Sequence, residues 1–176
     1  MSKELDRVAF IGLGVMGYPM AGHLANSGKA VTVFNRTTAK AEQWLSEYAG
    51  GGECAVATTP KAAATGADVV FMCVGNDDDV RSVALGSDGA LAGMAADSVL
   101  VDHTTASQQL AVELGAACAA ADVRFLDAPV SGGQAGAENG ALTIMLGGSE
   151  ADYHSVRGLL DVYAKKSALM GPIGAG

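Results

Sequence analysis

Positive charge is scarce: 11 Lys and Arg stand against 19 Asp and Glu, a formal net charge of −8. Such a chain presents no basic field to gather a polyanion, so DNA and RNA are not expected as partners. Backbone amides can still hold an anionic cofactor locally. Long apolar runs are missing too, and none reaches the roughly 18 residues expected of a membrane span. Residues 1–7 are charged and lack the apolar stretch of a secretory signal. The expectation is a cytoplasmic protein with no membrane association. Cysteine is limited to Cys54, Cys73 and Cys118, far apart and without CxxC spacing. That pattern predicts buried free thiols rather than a disulfide framework or a metal site. With only 4 prolines and 5% aromatics beside 49% hydrophobic residues, the composition is that of an ordered α/β protein of alanine-rich helices and aliphatic strands.

What is present alternates. Short aliphatic runs at 7–12, 30–35, 54–57, 68–74, 98–102, 124–127, 142–146 and 167–170 read as strands buried on both faces. Between them lie helical stretches at 15–27, 61–65, 78–85, 107–120 and 150–163, and another that Thr37 would cap. On this last one Ala41, Trp44, Leu45 and Tyr48 fall on one side. Strand and helix in alternation predict a mostly parallel sheet with helices on both faces, the Rossmann type of α/β fold. No repeat, linker or charge block divides the chain.

Gly12-Leu13-Gly14-Val15-Met16-Gly17 fits GxGxxG. It directly follows a strand and opens a helix, and a second strand ends about 20 residues on, which is the context of a dinucleotide loop. Gly12 allows the tight turn, Gly14 lets backbone approach a pyrophosphate, and Gly17 lets helix and strand pack closely. Without a ligand the same segment is a tight strand–helix turn. The tip of the second strand reads Asn35-Arg36-Thr37. An acidic residue there would accept from the ribose 2′-hydroxyl of NAD; Arg36 and Thr37 instead suit a 2′-phosphate, and Asn35 does not repel it. NADP(H) is the preferred cofactor, with NAD still admissible. The plainer reading is a solvated Arg36 and a Thr37 that only caps its helix.

These motifs, with Asp102-His103-Thr104-Thr105 and Asp127-Ala128-Pro129-Val130-Ser131-Gly132-Gly133 running on to Gly140-Ala141-Leu142-Thr143, resemble the β-hydroxyacid dehydrogenases. Within that family the likeness is to the 3-hydroxyisobutyrate dehydrogenase and glyoxylate or succinic semialdehyde reductase type, over essentially the whole chain. The resemblance implies that Ser131, Gly132 and Gly133 hold the substrate. It implies that Val74, Gly75 and Asp79 line the adenine and ribose side of the cofactor, and that Thr105, at the end of a strand, lies near the nicotinamide ribose. Read without the family, Ser131-Gly132-Gly133 is a flexible loop. The three aspartates at 77–79 read as a helix cap and dipole partner rather than a metal site. His103 stands where related sequences often carry a small hydroxyl residue and is given no acid–base role.

The implied activity is interconversion of a β-hydroxyacid and its semialdehyde, or reduction of a small aldehyde acid. Imine reductases and 6-phosphogluconate dehydrogenases share the cofactor half but depart from the 127–133 wording, and a non-catalytic dinucleotide-binding module is a further alternative. Family members carry their proton-transfer lysine on a long helix after a Gly-x-Gly, and they assemble as homo-oligomers chiefly through a helical second domain. By that resemblance residues 1–165 form the cofactor domain, and 166–176 a final strand and the start of the interdomain helix. The catalytic lysine is expected to be absent from this chain. Lys165 and Lys166 read as solvated helix-end charges.

Overall fold

A computed structural model describes residues 5–176. Alternation along the strands places side chains on two opposite faces, and both are buried. Val8 and Phe10 of β1 (Arg7–Ile11) join one apolar core, while Ala9 and Ile11 join the other. The same division holds in β4 (Val69–Met72), where Phe71 faces the first core and Val70 and Met72 the second. A sheet covered on both faces is what uninterrupted aliphatic strands require.

β2 (Ala30–Phe34), β3 (Cys54–Val56), β5 (Val99–Asp102) and β6 (Arg124–Asp127) complete a parallel array in the order β3-β2-β1-β4-β5-β6. This is the doubly wound dinucleotide-binding order, and the chain reverses its direction of winding between β1 and β4. The array continues through β7 (Val130–Ser131), β8 (Leu142–Gly147) and β9 (Ala164–Gly171), with β8 antiparallel to β6 and β7 and parallel to β9. β6 and β7 both pair with β8 and are separated by Ala128-Pro129. Pro129 has no N–H for a ladder, and its carbonyl accepts from Met145 at 3.1 Å.

Helices α1 (Gly17–Asn26), α2 (Thr38–Tyr48) and α8 (Glu150–Leu160) cover the first core. α3 (Pro60–Ala64), α4 (Asp77–Leu85), α5 (Ala90–Gly93) and α6 (Gln108–Ala120) cover the second. The short α7 (Gly133–Glu138) packs beside α1. Fully buried Trp44 fixes α2 against α1, its indole N–H donating to the Tyr18 carbonyl at 3.2 Å.

Several local expectations need correction. Lys165 and Lys166 lie exposed on β9 rather than at a helix end, and β9 itself begins at Ala164 and not at 167. Residues 172–176 form a turn and not a helix. β7, α5 and α7 had no counterpart in the sequence reading. Cys118 is buried, whereas Cys54 and Cys73 are only half-buried. Among the described residues no helix is long and apolar enough to cross a membrane.

Candidate functional site

A cleft of about 400 Å³ opens at the carboxyl ends of β1, β2 and β4, where open α/β sheets bind their ligands. It gathers Gly12, Leu13, Gly14, Val15, Met16 and Gly17 from the β1–α1 loop, Asn35, Arg36 and Thr37 from the tip of β2, and Val74, Gly75 and Asp79 beyond β4. A larger cleft of about 840 Å³ lies at the other end of the strands, beside Asp68, Ser98 and Arg124, and brings none of these residues together.

The glycines of the loop divide by what a side chain would meet. A Cβ on Gly12, whose φ is +99°, would strike the Cys73 carbonyl, and one on Gly17 would strike the Gly12 carbonyl. These two are required by packing. A Cβ on Gly14 would meet nothing within 4 Å and would stand in the open cleft. The amides of Gly14, Val15 and Met16 make no hydrogen bond within the described residues. They sit at the N-terminus of α1, whose first turn carries no acidic residue. Unpaired amides, an uncompensated positive dipole end and space left by a missing side chain together suit an anion such as a pyrophosphate.

Asn35 does more than leave the rim uncharged. Its Oδ1 accepts from the Leu13 amide at 3.0 Å and its Nδ2 donates to the Thr37 carbonyl at 3.1 Å, so it ties the loop to the strand tip. Arg36 and Thr37 are exposed at the rim. Thr37 is the N-cap of α2 by position, but its side chain makes no capping bond. Among the described residues Asp79 is the sole acid lining the cleft.

Asn76 caps α4, its side chain accepting from the Asp79 amide at 2.9 Å, so the three aspartates follow the cap and occupy the first turn. Asp77 accepts from both the hydroxyl and the amide of Ser107, at 2.6 and 3.0 Å, and these bonds hold its carboxyl below the ordinary range. Thr105 does not end a strand: β5 stops at Asp102, and exposed Thr105 lines a smaller cleft with Gly75, Asn76 and Asp77 beside the first. Ser131, Gly132 and Gly133 line neither of these clefts. They are exposed, Ser131 ending β7 and Gly133 opening α7, with φ of +131° at Gly132 and +63° at Gly133.

Residues passed over in the sequence complete the cleft. Ser82 and Val83 line it with Asp79, and their i, i+3, i+4 spacing on a helix was a signal available to find them. Thr104 accepts from the Val74 amide through its hydroxyl and donates its own amide to Asp102, both at 3.0 Å, which fixes the far wall. Burial pushes the Asp102 carboxyl up to about 6, with nearby Asp127 and Asp77 adding to the rise against the bonds from Thr104. Burial likewise pushes His103 down to about 4, and its two ring nitrogens meet the Ala128 carbonyl and the Tyr163 hydroxyl at 2.7 and 2.6 Å. A neutral, fully partnered histidine in the core is a structural element.

The fold and this cleft define a nicotinamide-dinucleotide domain, and comparison with known proteins gives its family. Residues 7–171 match the family model described as the NAD binding domain of 6-phosphogluconate dehydrogenase, and the chain belongs to that family. Its relatives include proteins described as oxidoreductases and as probable 3-hydroxyisobutyrate dehydrogenase-like proteins. It is 57% identical, over 98% of its length and 58% of the relative's, to a protein of Shewanella frigidimarina described as an uncharacterized oxidoreductase. It is 42% identical, over 97% of its length and 49% of the relative's, to a probable 3-hydroxyisobutyrate dehydrogenase-like protein of Arabidopsis thaliana. The solved structure of Mycobacterium tuberculosis 3-hydroxyisobutyrate dehydrogenase with L-serine superposes with a TM-score of 0.89 at 32% identity, over 98% of this chain and 57% of that one. The chain thus spans about half to three-fifths of the length of these relatives.

Proposed function

We propose that this chain is the cofactor-binding part of an NADP(H)-dependent oxidoreductase that interconverts a β-hydroxyacid and its semialdehyde, or reduces a small aldehyde acid, in the cytoplasm. The observation that carries the cofactor assignment is the open space at Gly14 beside the unpaired amides of Gly14, Val15 and Met16. In this reading those amides hold the pyrophosphate, Arg36 and Thr37 meet the 2′-phosphate, and Val74, Gly75 and Asp79 flank the adenosine. Thr105 stands beside the nicotinamide ribose. Ser131, Gly132 and Gly133 donate a hydroxyl and side-chain-free amides to the substrate carboxylate.

A bound nicotinamide supplies or accepts the hydride. Reduction also leaves an alkoxide that needs a proton from a positioned acid. No lysine among the described residues lines the cofactor cleft or the smaller cleft beside Thr105. The chain by itself is therefore proposed to bind cofactor without turning substrate over, and the whole enzyme to act as a homo-oligomer on small hydroxyacids. Titration with NADPH and NADH tests the first part: tighter NADPH binding supports the reading, and tighter NADH binding overturns the 2′-phosphate assignment. Following nicotinamide absorbance with a panel of semialdehydes tests the second. Turnover by the 176-residue chain at the rate of a full-length relative would refute it.

A further inference from the structure

Two histidines bracket the segment that contains Ser131-Gly132-Gly133. At its start the Ala128 carbonyl lies 2.7 Å from His103 Nδ1, and at its end the Ala137 and Glu138 carbonyls lie 2.9 and 3.1 Å from His23 Nε2. Carbonyl oxygens only accept, so these ring nitrogens carry the protons. His103 is 1% exposed and belongs to the core. His23 stands elsewhere: on α1, the helix whose N-terminal approach lines the cofactor cleft.

Besides His23, α7 is held by the Ala141 amide, which donates to the Gly136 carbonyl at 2.8 Å, and by the Leu142 side chain against Gly132 and Gly136. It is 6 residues long with Ala137 alone buried, and a helix that short does not persist in water without tertiary support. The last carbonyls of any helix lack intrahelical donors. Here the Gly140 amide reaches the Ala137 carbonyl only at 3.4 Å, and the His23 N–H serves both that carbonyl and its neighbour. Because α7 begins at Gly133, its placement sets where the amides of Gly132 and Gly133 point.

We infer that His23 is a positioning residue that couples α1 to α7, so that occupation of the cofactor cleft orders Ser131-Gly132-Gly133 for a carboxylate-bearing substrate. The coupling rests on the dinucleotide reading of the cleft; the tether between the helices does not. His23 touches neither cleft, so its effect runs wholly through α7.

Hydrogen exchange on wild type and three variants tests it. His23→Leu removes the donor, His23→Gln restores an N–H at similar reach, and His23→Glu keeps the length of Gln without a donor. Without ligand, amides at 133–141 are expected to exchange about tenfold faster in the Leu and Glu variants, as loss of a hydrogen bond predicts. The Gln variant is expected to stay near wild type, and α1 protection to stay unchanged. Saturating NADPH should slow exchange across 131–141 in wild type and the Gln variant but not in the other two, with the NADPH dissociation constant unaltered. Equal exchange at 133–141 in all four proteins overturns the tether, and equal slowing by NADPH in all four overturns the coupling. If the Leu variant loses protection in α1, the Gln and Glu pair decides the same comparison. Failure of wild type to bind NADPH overturns the cofactor reading and the coupling with it, and the unliganded exchange tells that failure apart from failure of the tether.

Discussion

Asn35 holds the glycine-rich loop by its backbone, its Oδ1 accepting from the buried Leu13 amide at 3.0 Å. The residue at the tip of β2 therefore has two tasks, since it also decides whether the rim carries a negative charge. Asn35→Asp separates them: a carboxylate still accepts from Leu13 but stands against a 2′-phosphate. Loss of the Nδ2 bond to the Thr37 carbonyl is expected to cost about 0.5–1.5 kcal/mol of stability, with NADPH weakened by about tenfold or more relative to NADH, as one like-charge contact on a partly shielded site implies. Asn35→Leu leaves the Leu13 N–H without a partner and is expected to cost about 1–3 kcal/mol of stability. Paired dissociation constants and denaturant melts check both.

The three loop glycines predict three different failures. At Gly12 an alanine would face both a +99° φ and the Cys73 carbonyl, and at Gly17 it would press on the Gly12 carbonyl. Gly12→Ala and Gly17→Ala are expected to lower stability by about 2 kcal/mol or more, because backbone on both sides must move. Gly14→Ala meets nothing within 4 Å, so its melting temperature should match wild type while its affinity for dinucleotide falls. A Gly14→Ala protein that binds NADPH normally would remove the observation on which the cofactor assignment stands.

The parallel strands and the glycine-rich turn after β1 were legible because each rests on local signals. Aliphatic runs buried on both faces need no partner to be recognised, and GxGxxG between strand and helix carries its own context. The hydrogen bond of Asn35 was not legible, since an uncharged side chain at a strand tip does not declare where it points. β7 and α7 were hidden for a different reason: Gly132, Gly133 and Gly136 weaken every propensity signal, and α7 is held in part by contacts more than a hundred residues away in sequence, His23 to Ala137 being separated by 114. β9 was under-read because Lys165 and Lys166 interrupt its apolar pattern at an exposed sheet edge.

Arg36 offers the cleanest test of cofactor choice. It is exposed at the rim and makes no ion pair among the described residues, so its replacement disturbs no internal partner. Arg36→Ala is expected to raise the NADPH dissociation constant about 10- to 100-fold, the worth of charge-assisted hydrogen bonds to a phosphate, and to leave NADH nearly unchanged. Equal weakening of both cofactors would show that Arg36 does not read the 2′-phosphate.

Asp102 and His103 are neighbours whose burial pulls stability in opposite directions as pH changes. Asp102 is raised from 3.8 to about 6, so the folded protein binds its proton more tightly than the unfolded chain does; its contribution is fully present below 3.8 and is lost as pH rises through 6. His103 is lowered from 6.5 to about 4, so its contribution is present above 6.5 and is lost as pH falls through 4. Over that shared window the two slopes nearly cancel, and these residues leave wild-type stability almost flat. Asp102→Asn keeps an oxygen for the Thr104 amide but removes one of the opposing slopes. The variant is expected to lose about 2 kcal/mol more than wild type on acidification from pH 6.5 to 4, the stabilisation that protonation of Asp102 supplies over that range, read from denaturant melts. A variant that tracks wild type throughout would mean that Asp102 takes up its proton in the fold no more readily than in the open chain.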